Sequence, residues 1–180
     1  MILLPLGAGA SSYPQIRMDE RIELVSALAL LAGADSTASG FYEYPSPYAR
    51  RLRRELSAHQ RDAAVSALDA RLRAGLTSLD LYQIALRLAP TPPYALVEQL
   101  PQPIIDRLGG AQAAEDFLAA LSRFSTEADF PGFWLRSEPD RQSLMAPAKA
   151  QAETSTARAI LEQYTGLPAL PHSVILSPEA

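Results

Sequence analysis

Apolar residues recur at helical spacing along most of this chain. From Asp19 onward, Ile22, Val25, Ala29 and Ala32 form one apolar face, and Leu24, Leu28 and Leu31 form the next. Between Val25 and Ala32 only Ser26 is polar, which predicts a helix buried over most of its circumference. Asp19, Glu20 and Glu23 put negative charge in its first turn, where the helix dipole favours it. Gly33 suits the position just past its end.

Four further helices follow from the same kind of pattern. Ser46-Pro47 reads as an N-cap with proline at N1, opening a helix with Tyr48, Leu52 and Leu56 on its apolar side. Val65, Leu68 and Leu72 mark a helix over about 61–74 that stops at Gly75. Thr77 caps the next, from Ser78 to about Leu88, with Asp80 completing an Asp variant of the capping box. Its buried side is Leu81, Ile84, Ala85 and Leu88, and Pro90, Pro92 and Pro93 end it. Ala114, Phe117, Leu118, Leu121 and Phe124 give a 3.6-residue stripe over about 111–125.

The remaining stretches are less regular. Tyr94–Leu100 and Gln102–Leu108 read as short helical segments divided by prolines, and Phe130–Trp134 as a turn opening another helix. Residues 139–164 read as one broken helix or two, interrupted near Pro147, with Ile160, Leu161 and Tyr164 facing inward. The loop 34–45 carries an aromatic knot at Phe41, Tyr42 and Tyr44, and 166–171 is a proline-rich connector. Val174-Ile175-Leu176 is a β-branched apolar run that reads as a strand. A strand needs a ladder partner for its backbone groups. Only Ile2–Leu6 and Gln15–Met18 look strand-like elsewhere, so either the two ends pair or the sheet lies beyond Ala180. The expected fold class is mainly α, an orthogonal multi-helix domain with one or two short β-strands at the chain ends.

Composition narrows the chemistry. The chain has 180 residues, no Cys, two His and a formal net charge of −4. Without Cys there is no disulfide, thiolate nucleophile or Cys-ligated metal. His59 and His172 lie far apart, without the one-turn spacing of a zinc helix. Arg50, Arg51, Arg53 and Arg54 could contact phosphate, but Glu55 interrupts them and they spread around the helix. With the negative net charge, a solvated face is the better reading, and no nucleic-acid partner is expected. No apolar run reaches the ~18–20 residues of a membrane span. Met1–Ala10 is either a short strand or the remnant of a signal sequence, which would make the protein exported or periplasmic; otherwise it would be cytoplasmic. Phosphate-loop, dinucleotide, nucleophile-elbow and HExxH motifs do not occur.

Three stretches carry a resemblance. Asp19-Glu20-Arg21-Ile22-Glu23-Leu24-Val25-Ser26, running on to Leu30-Leu31-Ala32-Gly33, is the first. The Tyr-containing loop from Tyr42 to Tyr48, with His59 to Val65 after it, is the second, and Val174-Ile175-Leu176-Ser177-Pro178 is the third. In that order they resemble a bacterial domain-of-unknown-function family of predicted HExxH (gluzincin-like) zinc metallopeptidases. The resemblance implies that 1–18 is a leading strand or signal remnant and 19–165 a helical domain. Residues 166–180 would then be the connector and strand leading into a missing C-terminal half. It implies zinc only in a full-length protein, with no cofactor, metal ligand or catalytic residue in this chain. Arg21 and Glu23 would be anchoring residues or shape a substrate cleft, and His172 could approach that cleft. The expected function is the N-terminal helical portion of a zinc metallopeptidase-like protein, in contact with the missing half. The alternative is a complete, non-catalytic helical domain that binds a protein or peptide in a groove between helices.

Overall fold

The computed structural model describes residues 15–33, 46–154 and 173–175. Among them the protein is mainly α. The order is β1 (Gln15–Arg17), α1 (Glu20–Leu31), α2 (Pro47–Leu56), α3 (Ala63–Arg73), α4 (Ser78–Ala85) and α5 (Gln102–Leu108). Then come α6 (Ala111–Glu127), α7 (Phe130–Arg136), α8 (Glu138–Thr154) and β2 (Ser173–Ile175). The expectations for Met1–Ala10, Phe41, Tyr42, Tyr44, Ile160, Leu161, Tyr164, the 166–171 connector and His172 lie outside the described residues.

Local chemistry sets most helix starts. Asp19 caps α1 by accepting from the Arg21 amide at 3.1 Å, and Ser46 caps α2 by accepting from the Ala49 amide at 3.0 Å. At α4 both arms of the capping box form: the Asp80 amide donates to Thr77 Oγ1 at 3.3 Å and the Thr77 amide to Asp80 Oδ2 at 3.0 Å. Each cap satisfies amides that the first turn leaves without helical partners.

The core forms around α1, which packs against α2, α3 and α4. Leu24, Val25, Ala27 and Leu28 have no exposed surface, as expected of a helix apolar on nearly every side. Burying each leucine contributes about 1.5–3 kcal/mol. From α3 the packing runs to α6, then to α7, α8 and back to α2, while α5 closes on α6. Tyr48, Phe124, Phe130 and Phe133 fill this second part, all fully buried.

The two strands pair in parallel, with Ile16 opposite Val174, and β1 also lies against α8. The apolar run near the C-terminus thus finds its ladder partner in the 15–18 stretch.

Two expectations are corrected. Tyr94–Leu100 is not helical. Tyr94 has a positive φ of 54°, and the amides of Ala89 and Val97 donate across to Ala95 and Arg87. Those bonds align 87–89 antiparallel to 95–97, around a bridge from Leu88 to Leu96. The same pairing ends α4 at Ala85, earlier than its apolar pattern suggests. Second, α8 runs through Pro147 without a break over its described length. Proline removes one helical hydrogen bond, but Pro147 is exposed while Arg141 and Met145 are buried one turn apart on the inner side.

Candidate functional site

Two features stand out once the core is accounted for: a polar junction at the start of α1 and an open groove between α3 and α6.

At the junction, Arg21 grips Asp19 with two nitrogens, Nε to Oδ1 at 2.9 Å and Nη2 to Oδ2 at 2.8 Å. Its Nη1 reaches across to the carbonyls of Leu88 at 2.9 Å and Leu86 at 3.3 Å. Arg21 therefore ties α1 to the α4–α5 connector. Burial alone would raise the Asp19 carboxyl, but the hydrogen bonds and charge of Arg21 outweigh it and hold the group below its ordinary range. Glu23 is completely buried within α1.

The next residue, Glu20, accepts from the Tyr94 hydroxyl at 2.5 Å. Tyr94 is nearly buried, and Ser122 of α6 holds the connector beside it by donating to the Pro93 carbonyl at 2.8 Å. Burial pushes the Glu20 carboxyl up, opposed by the Tyr94 hydrogen bond and the charge of Arg141. Burial, followed by the bond and charge of Glu20, pushes the Tyr94 phenol far above its ordinary value, so it remains a donor. Arg141 is itself buried. Its Cζ lies 3.4 Å over the Trp134 ring, its Nη2 donates to the Trp134 carbonyl at 2.8 Å, and it pairs with Glu138. Trp134 is thus capped by a cation, in an arrangement that favours cation–π attraction. The junction joins α1 to the connector through the Arg21 and Tyr94 hydrogen bonds, with the charge of Arg141 acting on Glu20 from α8; its chemistry is that of an anchor.

Tyr94 and Arg141 were not legible as partners of α1 in the sequence. Tyr94 sits in a stretch patterned like a helix, and Arg141 is 120 positions from Arg21 in the numbering. Of the arginines of α2, Arg51 joins a surface network, contacting Glu55 at 2.7 Å and Asp140 at 3.1 Å. Among the described residues no group of three or more His, Asp or Glu is placed to hold a metal, and no helix is long and apolar enough to cross a membrane.

The groove is built differently. The outward stripe of α3 is Ala63, Ala67 and Arg71, one turn apart, and α6 faces it with Ala113, Phe117 and Ala120. Behind the stripe, Ala64, Val65 and Leu68 are buried in the core. Alanines on both sides, with Phe117 buried between them and Asp116 and Arg123 also on the α6 rim, leave an open trough of about 410 Å³. Arg71 also lines a second concavity of about 470 Å³, formed with Ala74, Pro103, Asp106, Arg107 and Gly109. The trough is thus continued past the end of α3. Ala63 to Ala74 spans about 16 Å at the helical rise of 1.5 Å per residue, the length of three turns of a partner helix. Compared with known proteins, the chain matches no family model, no curated relative and no solved structure.

Proposed function

We propose that this chain is a non-catalytic helical domain that binds a protein or peptide segment in the groove between α3 and α6. The observation that carries this reading is the alanine-lined trough itself. A helix laid along it could bring its apolar ridge close to both α3 and α6, with Phe117 as floor, which is the geometry of helix-in-groove recognition. The remaining polar features act structurally: the α1 junction fastens elements to one another, and the Arg51–Glu55–Asp140 network joins α2 to α8. The test is binding of a fluorescent amphipathic 16-residue Leu/Ala-faced helix to the full chain and to Ala67→Trp, which fills the trough. Saturable binding that is lost in Ala67→Trp supports the reading. Binding unaffected by that substitution, or none, refutes it.

The reading as the N-terminal portion of a zinc metallopeptidase-like protein is compatible with such a scaffold and draws its support from the sequence resemblance alone. Coding sequence downstream of Ala180 tests it: an HExxH helix there supports it, and its absence removes it.

A further inference from the structure

Two arginines line the trough, Arg71 and Arg123; Arg123 is exposed on α6, whereas Arg71 is seated for recognition. Arg71 is the residue shared by both concavities. It is half-buried, and its guanidinium rests on the Gly109 backbone: a Cβ built at Gly109 would lie 2.7 Å from Arg71 Nη1 and 3.0 Å from Cζ. Gly109 has a φ of +96°, so glycine serves both the turn after α5 and the seating of the arginine. A guanidinium carries five N–H donors, yet among the described residues that of Arg71 has no hydrogen-bond or ion-pair partner. Its neighbours differ. Arg73 pairs with Asp69 at 3.0 Å and Arg107 with Asp80 at 2.6 Å.

We infer that Arg71 is the acid-recognition point of this groove, and that the partner is an amphipathic helix carrying one carboxylate that pairs with it. The inference rests on the groove reading and adds the partner's chemistry. A planar fork held against a glycine has little freedom left to give up on binding, which suits bidentate capture of a carboxylate. The rim also limits how acidic the partner is. Asp116 and Asp106 line the two concavities, and each already accepts from the side-chain Nε2 of the glutamine four residues before it, Gln112 at 3.1 Å and Gln102 at 2.8 Å. These carboxylates disfavour a run of acids, and Arg123 on the rim is exposed while Arg71 is seated against Gly109, so the carboxylate is placed at the level of Arg71. Arg71 lies one turn beyond Ala67, about 6 Å along the axis. The partner's carboxylate therefore sits three or four residues from the apolar side chain resting on Ala67 and Ala120.

Three 16-residue amphipathic helices that differ only at that position, Glu, Gln or Lys, test this by fluorescence anisotropy on the full chain. The Glu peptide is expected to bind about tenfold more tightly than the Gln peptide, the equivalent of one charge-assisted contact. Arg71→Ala should abolish that difference and Arg71→Glu should reverse it in favour of the Lys peptide. Circular dichroism of both variants checks that they fold as the parent does. Equal binding of Glu and Gln peptides, with sensitivity to Ala67→Trp retained, overturns the role of Arg71 and leaves the groove reading intact. No binding by any peptide overturns both.

Discussion

Replacing Tyr94 with phenylalanine deletes a single oxygen, and the structure says what that oxygen does. It is the donor in a 2.5 Å hydrogen bond to Glu20, on a ring that is 2% exposed. Hydrogen bonds to a charged group contribute about 1.5–3 kcal/mol, so Tyr94→Phe should cost about 2 kcal/mol at neutral pH. With a urea m-value of about 1–3 kcal/mol/M, the midpoint falls by about 1 M. Glu20→Gln keeps an acceptor and should cost less. The double variant should show a coupling of about 1 kcal/mol, within the range of residues in direct contact. The pH dependence follows from the same pair. Burial raises the Glu20 carboxyl above its ordinary range, so the folded state favours its protonated form. That contribution is fully present below the unfolded pKa and is lost as pH rises through the folded one. The Tyr94 bond lowers this pKa, so Tyr94→Phe should move the window to higher pH. In the parent, the Tyr94–Glu20 coupling should weaken as acidification protonates Glu20 and the bond becomes neutral. Urea titrations of the four proteins between pH 4 and 8 measure all of this. A cost below about 0.5 kcal/mol for Tyr94→Phe would refute the bond's role, because even a neutral hydrogen bond contributes that much.

Leu28→Ala, in the fully buried centre of α1, should cost about 3–5 kcal/mol by the transfer and cavity terms. Thermal or urea unfolding would show it, and a loss under 1 kcal/mol would mean α1 is not central. Thr77→Ala removes one arm of the capping box and should cost about 1 kcal/mol by the same assay. Gly109→Ala sets a Cβ against the Arg71 guanidinium at a φ of +96° and should cost about 1–2 kcal/mol through the strained turn. Arg71→Ala in that background should recover part of the loss, and failure to recover any would mean that the two residues are not packed together.

What was readable in the sequence was local. Asp19, Ser46 and Thr77 announce helix starts because an N-cap is decided by a side chain and an amide two or three residues on. The apolar circumference of α1 announces a central helix because a helix of 12 residues is too short for the other environment that tolerates it, a membrane. The 86–97 connector was not readable, since its conformation depends on amides bonded to carbonyls six to ten residues away and on a left-handed Tyr94. Pattern alone assigns such a stretch to whichever period it happens to match. The parallel pairing of Gln15–Arg17 with Ser173–Ile175 was readable as one of two alternatives, because a strand's need for a partner is legible and its choice is not. The groove falls between these cases. Ala63, Ala67 and Arg71 are visibly one face of α3, but only the packing of α3 on α6 places Ala113 and Ala120 opposite.

The central claim, that this trough is a binding surface, is tested most directly by amide chemical-shift mapping of the full chain during titration with the Glu-bearing amphipathic helix. The account predicts saturable shifts clustered on Ala63, Ala67, Arg71, Ala113, Phe117 and Ala120, with the α1 junction around Glu20 and Arg21 unmoved. Shifts centred on other surfaces, such as the exposed Leu79 or Leu135, or no shifts at saturating peptide, would contradict it.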